Sequence, residues 1–173
     1  MKGKPRVLSR SEVEGIVGRL ERLRDKALIS FLYLTGARIS EALEVRAEDF
    51  RIEGDWLLVE LVTLKRRDRL RREVPIPLRD PLSRYVVEWV RQVGKGRLWP
   101  LTRRYALMIL KSARPDVHLH ELRHTRLTEL VREYDFNEYE LMRWTGWKTS
   151  KVATEYIKLK WRDLVRKLQT RGG

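Results

Sequence analysis

Residues 26–41 have the sequence Lys-Ala-Leu-Ile-Ser-Phe-Leu-Tyr-Leu-Thr-Gly-Ala-Arg-Ile-Ser-Glu. Residues 26–34 are apolar on nearly every side of a helix, a pattern that indicates burial in the core. Gly36 is expected to end this helix, because glycine readily adopts the left-handed backbone conformation found after helix C-termini. A shorter helix is predicted to begin at Arg38. These two helices and their connecting turn therefore predict the centre of the fold.

The remaining sequence predicts a mainly helical α+β fold with a small three-stranded antiparallel sheet. Ser9 and Glu12 are typical of a capped helix start, which apolar residues follow at helical spacing. Strands are predicted over residues 50–52, 56–61 and 73–77, with a turn at Glu53-Gly54-Asp55. Further helices are predicted over residues 82–93, 102–112, 119–133, 137–144, 149–158 and 161–169.

The composition is that of one ordinary domain. A chain of 173 residues with 42% hydrophobic content can bury one substantial core, so residues 1–173 are expected to form a single domain. No apolar run approaches the ~20 residues that a membrane-spanning helix needs, and no signal-peptide segment follows the first residues. Cysteine is absent, which removes thiolate nucleophiles and cysteine metal sites and fits a reducing cytoplasm.

The charge is strongly basic, with 38 Lys and Arg residues against 24 Asp and Glu residues and a formal net charge of +14. Such an excess attracts a polyanion through counterion release, so nucleic acid is the expected partner. Residues 65–72, Lys-Arg-Arg-Asp-Arg-Leu-Arg-Arg, concentrate this charge near the predicted turn between the second and third strands. A run of this kind is also typical of a solvated loop, and high charge also occurs in thermostable proteins.

Two clusters of polar residues are candidates for chemistry. Glu41 follows Arg38 by one helical turn, so its carboxylate is expected beside that guanidinium, although a structural ion pair produces the same pattern. His120, Arg123 and His124 share one helical face, because residues three and four positions apart lie above one another. Leucines in the same sector predict that this trio points toward the core or an adjoining cleft, where a bound phosphate would supply hydrogen-bond acceptors.

Two alternatives use the same residues differently. His120-Glu121-x-x-His124 matches the helix of zinc proteases, in which two histidines bind the metal and the glutamate activates water. Arg123 on the ligand face counts against that hydrolase. Residues 137–158 also have the outline of a helix-turn-helix, with Gly146 at the turn. In a noncatalytic DNA-binding protein of that type, Tyr156 would pack or contact a backbone phosphate.

In their order and spacing, the segments resemble the catalytic domain of the tyrosine recombinase, or phage integrase, family. The matching boxes are Thr35-Gly36-x-Arg38-x-x-Glu41, a hairpin lysine, His120-x-Leu122-Arg123-His124, and Gly146-Trp147 followed by Tyr156. The match extends over about residues 9–160. By this resemblance, the catalytic residues are Arg38, Lys65, His120, Arg123, Trp147 and Tyr156, supported by Glu41 and His124. The residues expected to contact DNA are Arg66, Arg67, Arg69, Lys148 and Lys151.

The resemblance implies breakage and rejoining of double-stranded DNA. Tyr156 would attack a phosphodiester and form a 3′-phosphotyrosyl link, while arginine forks bind the non-bridging oxygens. His120 would accept the phenol proton, and Lys65 would protonate the departing 5′ oxygen. Trp147 would donate a hydrogen bond to the phosphate and pack beside Tyr156.

The same resemblance sets expectations about cofactors and partners. The phosphotyrosyl ester conserves the energy of the broken phosphodiester bond, so neither ATP nor a metal is expected. Self-association on DNA as a dimer or tetramer is expected, with no membrane partner. The implied location is the cytoplasm of a prokaryotic host, on the nucleoid or encoded by a virus or plasmid. Family members usually carry an N-terminal DNA-binding domain, which we do not expect in this chain. Topoisomerase-like relaxation is a further activity that uses the same tyrosine chemistry.

Overall fold

A computed structural model describes residues 5–63 and 70–157, together with residues 165, 168 and 169. None of the helices in these ranges is both long and apolar enough to cross a membrane. The helices of the described ranges are α1 (Arg10–Arg19), α2 (Leu23–Thr35), α3 (Ile39–Glu44), α4 (Ser83–Val93), α5 (Arg103–Ala113), α6 (Leu119–Arg132), α7 (Glu138–Thr145) and α8 (Lys151–Tyr156). The strands are β1 (Phe50–Glu53), β2 (Trp56–Thr63) and β3 (Leu70–Pro77), and a short 3₁₀ helix, Ala47–Asp49, precedes β1.

Helix α2 forms the centre of the fold, as its apolar sequence predicts. Every residue from Ala27 to Thr35 is buried, and the helix packs against α1, α4 and α6. Phe31 lies between two other rings, with its centroid 5.1 Å from that of Trp99 and 5.9 Å from that of Phe50. Gly36 ends the helix in the left-handed conformation, with φ 64°. Burial on all sides therefore fixes the position of the turn that leads to Arg38.

The three strands form an antiparallel sheet in the order β1-β2-β3. Glu53 pairs with Trp56 across the first turn, and Thr63 pairs with Leu70 at the far end of the β2–β3 hairpin. Side chains at alternate positions face the core, because successive residues of a strand point to opposite faces. The buried members are Leu57, Val59, Leu61, Val74 and Ile76.

The predicted fold class, a mainly helical α+β domain with a small antiparallel sheet, is confirmed. Most predicted helix bounds agree with the observed ones to within a few residues. The prediction for the third strand was short, because β3 begins at Leu70, inside the basic run. The run of charged residues favours a turn there, whereas Arg71 and Arg72 continue the strand. Residues 64–69, which include Lys65, lie outside the described ranges.

The C-terminal helices also differ in detail from the prediction. Helix α8 is shorter than predicted and begins at Lys151, because residues 146–150 continue the turn after α7. The helix predicted over residues 161–169 falls largely outside the described residues. At the turn itself, Gly146 has φ 78°, a left-handed conformation that suits glycine.

Gly146 lies against the end of the β2–β3 hairpin. A Cβ atom built at this position would lie 2.8 Å from Thr63 Oγ1 and 3.3 Å from Arg72 Cδ. The absence of a side chain therefore allows the α7–α8 turn to approach the sheet closely. The helix that carries Tyr156 is held to the hairpin at this contact.

Gly146→Ala is expected to destabilise the protein by about 1–3 kcal/mol, because alanine is strained at this φ and its methyl group overlaps Thr63. Gly15→Ala is the matched control, since Gly15 lies within α1 and a Cβ there meets nothing within 4 Å. That change is expected to stabilise the protein by about 0.5–1 kcal/mol. Urea denaturation measures both values, and equal stability of the two variants would contradict the close approach.

Candidate active site

Glu41 supplies a buried carboxylate around which arginine side chains converge. Its side chain is 1% exposed, and it forms a two-pronged ion pair with Arg72, whose Nη1 and Nη2 lie 2.6 and 3.2 Å from the carboxylate oxygens. Arg123 Nη1 is 4.0 Å from the same carboxylate. The Arg38 backbone N–H also donates to Glu41 Oε1, at 2.9 Å. One negative charge therefore lies among three arginines.

The expected pairing of Glu41 with the Arg38 guanidinium was wrong. Arg38 is the N-cap residue of α3, so it presents its backbone N–H to Glu41. The carboxylate then faces the sheet, where Arg72 enters from β3. The Arg38 guanidinium donates no hydrogen bond to the described residues, so its donors are available to a ligand.

Arg72 is a functional candidate that the sequence analysis did not single out. Its side chain is 8% exposed, and beyond Glu41 it donates from Nε to the Trp144 carbonyl oxygen at 2.7 Å and from Nη1 to Thr63 Oγ1 at 2.8 Å. These bonds join β2, β3, α3 and the end of α7. A signal was present in the sequence, because Arg72 falls two residues before Val74 on the core-facing side of the strand.

Arg123 projects from α6 beneath the turn at Gly36. Its Nη1 donates to the Gly36 carbonyl oxygen at 2.7 Å, whereas Nη2 is buried and has no hydrogen-bond acceptor among the described residues. Burial, followed by the positive charge of Arg38, lowers the pKa of Arg123 to about 10, against the opposing effect of Glu41. The group stays protonated at neutral pH. A buried cationic donor without an acceptor is costly, and an anionic oxygen would remove that cost.

Tyr156 lies at the end of α8, next to Arg123 and Trp147. The Trp147 ring centroid is 6.0 Å from that of Tyr156 and 5.6 Å from Arg123 Cζ. The Tyr156 hydroxyl lies 3.1 Å from His124 Nδ1. Burial raises the pKa of the Tyr156 phenol, and the charge of Arg123 offsets part of that increase. The phenol is therefore protonated in the free protein and needs a proton acceptor before it can act as a nucleophile.

The histidines of α6 differ in their environments. His124 is half-buried against Tyr156, whereas His120 is exposed and makes no hydrogen bond to the described residues. The expectation that all members of the trio point inward was therefore wrong for His120. That residue lies in the first turn of α6 and is exposed, whereas its neighbours Glu121 and Leu122 are buried. Partial desolvation and the charge of Arg123 lower the pKa of His120.

The zinc alternative requires a glutamate that is free to activate water. The Glu121 carboxylate instead accepts hydrogen bonds from the His118 backbone N–H at 3.1 Å and from Arg6 Nε at 2.8 Å. Among the residues that the structure describes, no group of three or more His, Asp or Glu side chains is placed to hold a metal ion. Glu121 therefore acts as a helix cap and an ion-pair partner.

The structure thus gathers most of the predicted site residues within the described ranges. One site contains Arg38, Glu41, Arg123, His124, Trp147 and Tyr156. His120 lies at the edge of this site. Lys148 is exposed in the turn before α8, and Lys151 is exposed at the first position of that helix. Four further predicted site residues lie outside the described ranges, namely Lys65, Arg66, Arg67 and Arg69.

The sequence profile of the phage integrase family matches residues 6–162 of this chain. The chain belongs to that family. A tyrosine recombinase of Thermosipho africanus is 34% identical over 142 residues, which cover 75% of this chain and 49% of that protein. The tyrosine recombinase XerA of Pyrococcus horikoshii is 27% identical over 143 residues, with coverage of 75% and 49%. The chain therefore spans about half the length of these relatives.

Solved structures of the family share the fold at low sequence identity. The XerH site-specific recombinase bound to its difH substrate matches with a TM-score of 0.75 and 20% identity, over 96% of this chain and 54% of that one. A lambda integrase tetramer bound to a Holliday junction matches with a TM-score of 0.56 and 15% identity, over 87% and 49% of the two chains. These similarities support the phage integrase fold for the described helices and sheet.

Arg72→Met is expected to destabilise this phage integrase domain by about 3–5 kcal/mol, because it leaves the buried Glu41 carboxylate without its closest partner. Arg71→Met is the matched control, since the Arg71 side chain is 70% exposed and pairs with Glu60 at the surface. Its effect should be no more than about 0.5 kcal/mol. Chemical denaturation of both variants tests this difference, and similar losses would show that Arg72 does not bear the buried charge pair.

Proposed function

We propose that this chain is the catalytic part of a site-specific recombinase or integrase that cleaves and rejoins DNA strands through a covalent 3′-phosphotyrosyl intermediate. The observation that carries the proposal is that Tyr156 and the buried Arg123 guanidinium both lie against Trp147, while Arg123 Nη2 has no acceptor among the described residues. A phosphodiester oxygen supplies that acceptor and places phosphorus beside the phenol. Family membership supports the same reaction, and the structurally similar XerH recombinase was solved bound to its difH substrate.

In the proposed reaction, the Tyr156 phenol oxygen forms a bond to phosphorus and the bond from phosphorus to the 5′ oxygen breaks. Arg38 and Arg123 bind the non-bridging oxygens, because planar guanidinium forks match two oxygens at once. The Trp147 indole N–H donates to the phosphate, and Lys65 supplies a proton to the departing 5′ oxygen. The phenol proton passes to a histidine of α6, and His120, exposed at the edge of the site, contacts the phosphate.

The reverse reaction reseals the strand. The released 5′ hydroxyl attacks the phosphotyrosyl ester and displaces the phenol, so one phosphodiester bond is exchanged for another. The free energy of the broken phosphodiester bond is conserved in the phosphotyrosyl ester. Neither a nucleotide cofactor nor a metal enters this sequence of steps.

The proposed partner is double-stranded DNA. The net charge of +14 favours a polyanion, and the proposed backbone contacts come from Arg66, Arg67, Arg69, Lys148 and Lys151. Self-association on DNA is part of the proposal, in keeping with the tetramer that lambda integrase forms on a Holliday junction. The proposed place of action is the prokaryotic cytoplasm, where chromosomal, viral or plasmid DNA is available.

Tyr156→Phe is expected to abolish a covalent protein–DNA adduct while DNA binding stays largely intact, because affinity depends mainly on phosphate contacts. The measurement uses end-labelled duplex at low salt, with a nick just downstream of the cleavage site so that the leaving strand diffuses away. The protein should remain attached to the 3′ phosphate and leave a free 5′ hydroxyl.

The matched control for this change is Tyr139→Phe, since Tyr139 is a tyrosine of α7 that is 72% exposed. It should form the adduct as the wild-type protein does. DNA binding without any adduct from the wild-type chain would favour the noncatalytic helix-turn-helix alternative. A protein linked to the 5′ end would contradict the proposed chemistry.

Arg123→Lys is expected to slow adduct formation by roughly 10²–10³-fold, because lysine keeps the charge but loses a fixed donor to the developing charge on phosphate. Arg38→Lys should act in the same direction. Arg91→Lys, at an exposed position of α4, is the control and should leave the rate unchanged. Single-turnover rates on the nicked duplex give the comparison, and near-normal rates for both site variants would reject the arginine clamp.

A further inference from the structure

We propose that His124, rather than His120, accepts the proton of the Tyr156 phenol when that oxygen attacks phosphorus. The inference rests on the proposed function and assigns the general base within it. The resemblance to the family gave this task to His120 and a supporting role to His124. The contacts of the two side chains favour the opposite assignment.

The first argument is distance. The Tyr156 hydroxyl oxygen lies 3.1 Å from His124 Nδ1, within the reach that direct proton transfer requires. The two ring centroids are 5.4 Å apart, with the planes tilted by 46°. Trp147 packs near the Tyr156 ring with its centroid 6.0 Å away. Tyr156 therefore contacts both His124 and Trp147.

The second argument is the protonation state of the pair. Burial, followed by the charges of His120 and Arg132, lowers the pKa of His124, while Glu121 opposes this effect. The ring is therefore neutral at neutral pH, and with its proton on Nε2 it presents Nδ1 as an acceptor. The phenol that faces it from α8 is protonated, and in this tautomer it donates its hydrogen bond to Nδ1 along the path of transfer.

The third argument concerns His120. It is exposed, it makes no hydrogen bond to the described residues, and the Arg123 charge acts on it. A neutral imidazole in that position can donate a hydrogen bond to a phosphate oxygen. The two histidines thus have different roles. His120 binds the substrate, and His124 accepts the proton of the nucleophile.

The proposed step balances in protons and bonds. As the bond from the Tyr156 oxygen to phosphorus forms, the phenol proton moves to His124 Nδ1 and the 5′ oxygen leaves with a proton from its own acid. The His124 imidazolium lies close to the phosphate, whose negative charge stabilises it. During resealing, His124 returns the proton to the departing phenolate.

The test compares single-turnover adduct formation by His124→Gln, His120→Gln and His118→Gln on a nicked duplex. His118 is exposed before α6 and serves as the matched histidine control, with an unchanged rate. His124→Gln should be slower by roughly 10²–10⁴-fold, the usual contribution of a general base. A 5′-bridging sulfur at the scissile position should not rescue it, because a thiolate leaves without a proton whereas the defect lies in the attacking phenol.

The pH dependence gives a second readout that a structural role would not move. The wild-type rate should fall at acid pH as His124 becomes protonated, at a pH below the ordinary histidine range because its pKa is lowered. His124→Gln should lose this acid limb, and His120→Gln should keep it. The assignment would be overturned if the fall in rate at acid pH disappeared in His120→Gln and persisted in His124→Gln.

A third readout tests the phenol directly. Incorporation of 3-fluorotyrosine at position 156 makes the phenol more acidic and should restore part of the rate in the His124→Gln background. Absence of rescue in a folded variant that still binds DNA would count against His124 as the base. If the wild-type chain forms no adduct at Tyr156, the proposed function itself fails. If it does, and His124→Gln matches its rate, this inference alone fails.

Discussion

The buried ion pair between Glu41 and Arg72 is the interaction on which the site depends. It joins α3, the sheet and the end of α7, since Arg72 also donates to the Trp144 carbonyl oxygen and to Thr63. Two charges removed from water repay their desolvation only when geometry and hydrogen bonds are nearly complete. The pair therefore forms completely only when α3, the sheet and the end of α7 are all in place.

The same pairing leaves the site electrostatically unbalanced. Arg72 takes both oxygens of Glu41 at short range, whereas Arg123 remains 4.0 Å from the carboxylate. Arg38 adds a further positive charge that contributes to the low pKa of Arg123. The uncompensated charge is fixed in place by the fold, so little reorganisation is needed when an anion arrives. Such preorganisation is the main source of electrostatic stabilisation in enzyme sites.

Sequence patterns predicted the features that depend on local periodicity. The all-apolar segment of α2 predicted its own burial, and alternation predicted the sheet, because both signals involve neighbouring residues. Pairings between distant segments gave no comparable signal. Arg72 meets Glu41 across 31 positions, and the choice between His120 and His124 as neighbour of Tyr156 depends on where α8 docks, 32 positions after His124. Helical spacing places both histidines on one face and does not distinguish which of them contacts Tyr156.

The close approach at Gly146 has a mechanical consequence. Thr63 and Arg72 occupy the space beside this residue that a side chain would fill, so the end of the hairpin and the α7–α8 turn are in direct contact. The positions of these two elements are therefore coupled at Gly146. A change in the position of the hairpin end is therefore expected to shift the turn that leads into the helix carrying Tyr156.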